Sequence, residues 1–196
     1  GFLAGTSNRL GQRLSFAYDS GGRLTAATAE DGRTTGYGYD ANGNLTTVIP
    51  PGRPAHGFSF SPLDQLTEYS PPMVAGTGST TYEFNADREL VRVNRPDGVT
   101  IALTYDASGR TTSIATPLVA FGYTYDPATG NPLAATAGGT RVDYEHDGPL
   151  PTAETWSGEV SGRVSRTYDS NAWVVSETVD GSPAVAFAYD DDGLPT

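Results

Sequence analysis

Only a few side chains in this 196-residue chain have types and spacings that could do chemistry. Glu145-His146-Asp147-Gly148 sets an imidazole between two carboxylates, the makings of an acid–base pair or a metal cluster. Asp190-Asp191-Asp192-Gly193 gathers three carboxylates that could attract calcium, yet it lacks the alternating ligands and distal Glu of an EF-hand loop. His56, the other histidine, follows Pro50-Pro51-Gly52-Arg53-Pro54-Ala55 and is expected in a loop. Ser, His and Asp are all present, but nothing pairs them as nucleophile, base and orienter. The glycines precede no helix and build no phosphate-binding loop. Trp156 and Trp173, together with 11 Tyr, could stack on sugar rings. With no Cys there are no disulfides and no thiolate metal sites. No catalytic residue, cofactor site or metal site is expected.

Composition narrows the partners. The net charge is −11, and the 12 basic residues are scattered arginines. Such a field repels phosphate and anionic lipid, so nucleic acid is excluded as a partner. No apolar run reaches about 18 residues, so membrane insertion is not expected. Gly (24) and Pro (14) make the chain rich in turns, and 11 Tyr with 7 Phe argue against disorder.

What would have to position these side chains is a repeat. An aromatic followed by an acidic or small polar residue recurs at Tyr18, Tyr39, Phe60, Phe84, Tyr105, Tyr125, Tyr144, Tyr168 and Tyr189, with spacings of 21, 21, 24, 21, 20, 19, 24 and 21. Two residues before each anchor the side chain is apolar or aromatic, Arg166 being the exception, and the residue between is small or polar. Alternation with period two marks a strand with one face packed, so the anchors should form an aromatic row on one face of a sheet.

After the anchor, Asp19, Asp40, Asp106, Asp126, Asp169 and Asp190 can accept backbone N–H groups and nucleate a turn. Gly22, Gly43, Gly109, Gly148 and Gly193 stand four residues past the anchor and Gly130 five, where a positive φ closes the loop. Leu24, Leu45, Leu66, Leu90, Leu150 and Val174 restart the next strand. The copies at Phe60, Phe84 and Tyr168 lack the glycine, and their turns are expected to be looser or differently shaped. A second turn falls halfway, at Asp31-Gly32, Pro51-Gly52, Asp97-Gly98, Gly138-Gly139 and Asp180-Gly181. Each repeat then holds two turns and two strands of about seven residues. The expected fold is all-β: about nine antiparallel hairpin repeats of about 21 residues forming a curved or spiralling sheet. On this reading both clusters of the opening lose their chemistry, since Glu145 fills the Asp slot, Gly148 the Gly slot, and Asp190–Gly193 one repeat turn.

These residues resemble the YD-repeat, or Rhs-repeat, family, through YDSGGRL (18–24), YDANGNL (39–45), YDASGRT (105–111), YDPATGNPL (125–133) and YDDDGL (189–194). The resemblance implies a segment of a hollow β-shell. In bacterial Rhs toxins and Tc toxin complexes such a shell encloses a C-terminal toxin domain, and in teneurins it serves adhesion. It implies a secreted or cell-surface bacterial protein whose partners are a cargo or toxin domain and neighbouring repeats; the alternative is an adhesion or glycan-binding module. Family members carry a DPxG-type motif at an aspartyl self-cleavage site, but Asp126-Pro127-Ala128-Thr129-Gly130 sits at an ordinary repeat position with no second DP downstream, and reads as a turn.

Eighteen strands at roughly 4.8 Å make a strip about 86 Å wide, about 27 Å across if curled once. A toxin domain of about 200 residues measures roughly 40 Å. Residues 1–196 are therefore expected to be a single array cut from a longer wall, without a complete terminal cap. Its free strand edges should favour self-association.

Overall fold

The computed structural model describes residues 1–73, 78–190 and 192–196. Among them every regular element is a β-strand and every pairing antiparallel. The chain divides into two units, residues 1–101 and 102–196.

The first unit is a meander of β1 (Gly5–Ser7), β2 (Arg13–Tyr18), β3 (Leu24–Ala29), β4 (Thr34–Tyr39), β5 (Leu45–Ile49), β6 (His56–Phe60), β7 (Leu66–Ser70), β8 (Thr80–Phe84) and β9 (Leu90–Asn94). Each strand pairs with the next. The second repeats the plan with β10 (Thr100–Tyr105), paired from Ala102 onward, β11 (Thr111–Ala115), β12 (Ala120–Tyr125), β13 (Pro132–Ala137), β14 (Thr140–Asp147), β15 (Leu150–Ser157), β16 (Gly162–Tyr168), β17 (Val174–Val179) and β18 (Val185–Ala186). Most strands run five or six residues, shorter than the seven expected, because turn hydrogen bonds claim the residues next to each anchor. His56 opens β6 instead of lying in a loop, and its Nδ1 meets the Tyr69 hydroxyl at 2.8 Å.

Register gives the faces their character. Phe16 lies opposite Ala27, Tyr37 opposite Val48, Phe58 opposite Tyr69 and Tyr82 opposite Val93. The second unit continues the pattern with Leu103–Ile114, Ile114–Phe121, Tyr123–Ala135 and Val142–Trp156. The opposite face carries Ser15–Thr28, Gly38–Thr47 and Ser59–Glu68. One face is thus aromatic and aliphatic, the other small and polar. Among the described residues only Ala134 and Ala153 are buried apolar side chains, so almost nothing resembling a globular core exists within this chain. Stability must come from hydrogen bonding along the sheet and from contacts between successive repeats.

Candidate functional site

The repeat turns are where side chains of defined geometry accumulate. In the first, Asp19 Oδ1 accepts from the N–H groups of Gly21 and Arg23, both at 2.9 Å, while Gly22 N–H donates to the Asp19 carbonyl at 3.0 Å. The same acceptor geometry recurs at Asp106 (from Ser108 and Arg110), Asp169 (from Asn171 and Trp173) and Asp190 (from Asp192 and Leu194). Asp40 accepts from Asn44 N–H. Ser61 and Asn85 do the same with a hydroxyl and an amide oxygen, which explains why acceptors without charge can stand there. Gly22, Gly43, Gly109, Gly130 and Gly193 all hold φ between 76° and 95°.

The copies without glycine depart from expectation. Asp64, Arg88 and Ala172 take φ of 61°, 67° and 64°, and each donates its N–H to the carbonyl three residues earlier, that of the residue just past the anchor: Ser61, Asn85 and Asp169. The turn is conserved in shape, and the side chain carries the left-handed strain. Two flanking N–H groups donating to the Asp, Asn or Ser acceptor offset the roughly 1–2 kcal/mol that a Cβ costs there.

A second departure lies at the repeat flanked by the spacings of 19 and 24. Tyr144 does not end its strand; it sits mid-β14 opposite Glu154. In the other hairpins the register shift falls between the anchor and the residue before it, as at Ala17/Tyr18 and Thr167/Tyr168. In β14 it falls between Glu145 and His146. His146-Asp147 therefore occupies the anchor pair, and the spacings of 19 and 24 become 21 and 22. Glu145, not in the Asp slot, turns to the opposite face and binds Arg163 with both oxygens, at 2.6 and 2.9 Å. Asp191 lies outside the described residues, and among the described residues no group of three potential ligands could hold a metal ion. Asp126 Oδ1 accepts from Ala128 and Thr129, as a turn residue would.

The contacts between repeats carry no obvious sequence signature. Tyr39 donates its hydroxyl to the Leu24 carbonyl, Tyr125 to Thr111, Tyr168 to Pro151 and Tyr189 to Val174, at 2.6–2.9 Å. Every acceptor lies opposite the preceding anchor: Leu24 faces Tyr18, Thr111 faces Tyr105, Pro151 faces His146 and Val174 faces Tyr168. The preference for Tyr over Phe at the anchor was the available signal. A second clip comes from the residue five past the anchor. Arg23 Nη1 reaches the Asp40 carbonyl (2.9 Å) and its guanidinium covers Tyr39, with 5.1 Å to the ring centroid. Arg110 covers Tyr125 at 4.8 Å, Asn44 binds Asp64 at 2.7 Å, Gln65 binds the Arg88 carbonyl at 3.2 Å, and Trp173 packs on Tyr189 at 5.3 Å. Both tryptophans thus commit a ring face to packing: Trp173 also lies against Gly193, and Trp156 lies over Gly162.

These clips give two measurable expectations. Tyr125→Phe should lower stability by about 1 kcal/mol in denaturant unfolding, the net worth of one hydrogen bond. An unchanged midpoint would remove the hydroxyl from the account. Acid should also loosen the turns. The Arg23 N–H, then the Arg23 guanidinium, hold Asp19 below its ordinary 3.8, and the Thr129 and Ala128 N–H groups do so for Asp126. A folded-state pKa lowered in this way contributes stability that is complete above 3.8 and is lost as the pH falls through the lowered value. Asp19→Asn with Asp126→Asn keeps the acceptors and should flatten the loss of thermal stability below that pH; an identical acid limb would refute the linkage.

The comparisons agree with this geometry. A family model described as teneurin YD-shell matches residues 1–194. Among solved structures, the crystal structure of TcdB2-TccC3-Cdc42 matches with a TM-score of 0.65 at 16% identity, over 94% of this chain and 12% of that one. The crystal structure of TcdB2-TccC3 matches with a TM-score of 0.65 at 15% identity, again over 94% and 12%. At these identities the likeness is one of fold, and the chain spans about an eighth of the length of the structures it matches. Among curated proteins nothing matches the sequence. A nearly constant repeat, a preserved turn with or without glycine, and a family match over almost every residue lead to one conclusion: the chain belongs to the teneurin YD-shell family.

Proposed function

We propose that residues 1–196 form one continuous, non-enzymatic wall segment that shields a cargo domain within a longer secreted or cell-surface bacterial protein. The observation that carries this reading is the double clip between successive turns. The polar side chains at the repeat edge fasten one hairpin to the next, while Glu145 is held by Arg163 and Asp190 by the N–H groups of its own turn. The TcdB2-TccC3 structures support the wall architecture, and the repeat spacing in the sequence is again 21 residues from Phe84 to Tyr105. The repeat-defining residues, Tyr18-Asp19-Gly22 and their counterparts, act in this scheme as turn and clip and have no part in chemistry.

The test is limited proteolysis of the full-length parent protein. Cargo cleavage should be slow in the native protein and rise sharply in a variant whose wall turns are broken, such as Gly43→Val. Cargo cleaved equally fast in both would overturn the reading. Residues 1–196 expressed alone should self-associate through unpaired strand edges; a strictly monomeric species in light scattering at high concentration would count against it. Glycan binding is the other reading; against it, Trp156 packs over Gly162, and Trp173 packs on Gly193 and Tyr189.

A further inference from the structure

The apolar face of the second unit contains one anomaly. Glu154 lies opposite Tyr144 and Val164, and Arg166 lies opposite Glu177, all on the face that carries Tyr123, Val142 and Trp156. Arg166 donates Nη1 to Glu154 Oε1 at 2.9 Å and Nε to Glu177 Oε2 at 2.8 Å. Two carboxylates therefore share one guanidinium, and the cluster keeps a net charge of −1. The paired positions of the same face in the first unit, from Phe16 to Val93, hold no charged side chain. All three side chains of the cluster remain between 24% and 37% exposed, so the surplus charge can be reached from outside.

A surface that is apolar except for one surplus negative charge is complementary to a segment that is apolar except for one positive charge. Arg166 uses one oxygen of each carboxylate, and the other oxygens are acceptors for a second cation. We propose that this face docks a polypeptide segment bearing an arginine or lysine between apolar side chains, with Glu154 and Glu177 as its cation subsite. The inference rests on the wall reading in taking the occupant to be polypeptide, and it adds the chemistry by which the occupant is held. Arg166 in this scheme pre-positions the two carboxylates and offsets half their charge while the face is empty.

Trp156, two residues from Glu154 on the same face, is a built-in reporter. In a Trp173→Phe background its fluorescence can be titrated with the peptide Ac-Leu-Phe-Arg-Phe-Leu-amide and with the same peptide carrying glutamine for arginine. The arginine peptide should bind about tenfold more tightly, and the advantage should shrink at about 0.5 M salt, where the Debye length drops to a few ångströms. Glu154→Gln with Glu177→Gln should abolish the difference without abolishing the binding of the neutral peptide. Equal affinity for both peptides on the unsubstituted face would overturn the subsite while leaving the wall reading intact. Binding of neither would overturn the docking face, and with it the support it lends to cargo contact.

Discussion

Gly43→Val should destabilise the protein by about 2 kcal/mol, and Ala172→Gly should stabilise it by about 0.5–1 kcal/mol. The two positions are equivalent in the repeat, four residues past Tyr39 and Tyr168, and both donate N–H to the carbonyl of the turn aspartate. Gly43 holds φ of 95° and Ala172 of 64°. A Cβ built on Gly43 meets nothing within 4 Å, so the cost there is one of backbone conformation without a packing clash. A β-branched side chain in the left-handed region is worse than Ala, which places valine at the upper end of the usual penalty. At Ala172 the penalty is already present in the native state, and glycine removes it while adding some entropy to the unfolded chain. For a chain of this size the valine variant should lose about 4–8 °C of Tm. Calorimetry on the pair decides the matter: if both substitutions destabilise, Ala172 has contacts that compensate its φ and the turns are not equivalent.

The same comparison shows what could be read from the sequence. An all-β chain of antiparallel hairpins was legible, because alternation at Phe16-Ala17-Tyr18 and turn residues at Asp19 and Gly22 are local signals repeated many times. The sequence points to Tyr144 and not His146 as the anchor, because Tyr144, two residues earlier, offers an aromatic followed by an acid, and only the register shift before His146 distinguishes them. For the turns at Asp64, Arg88 and Ala172 the missing glycine predicts an altered shape, but the acceptor one residue past the anchor preserves the positive φ without it. The clips from Arg23, Asn44, Gln65, Arg110 and Trp173 could not be found by residue type at all. They share a position and a direction, but two are guanidinium contacts to a carbonyl and a ring, two are amide hydrogen bonds, and one is a tilted aromatic pair. Contacts of such varied chemistry leave no pattern until the next turn is placed beside them.

Arg166→Leu should be the more informative of the charge substitutions, costing about 1–2 kcal/mol. Removing the guanidinium leaves Glu154 and Glu177 facing each other across one strand on an apolar face, each without the donor it has now. A fully buried pair broken in this way costs about 3–5 kcal/mol, but both glutamates are about a third exposed, and water screens much of the repulsion. Replacing the whole cluster, with Glu154→Leu, Arg166→Val and Glu177→Val, should instead leave stability equal to or above the unsubstituted protein, because desolvating three charges offsets most of what their pairing contributes. Denaturant midpoints of the single and triple variants separate two roles for the cluster. If the triple variant is as destabilised as the single one, Glu154, Arg166 and Glu177 hold the sheet together, and their presence on an aromatic face needs no partner. If the single variant falls and the triple variant does not, the cluster adds nothing to folding that hydrophobic side chains would not supply, and its charge is there for what the face binds.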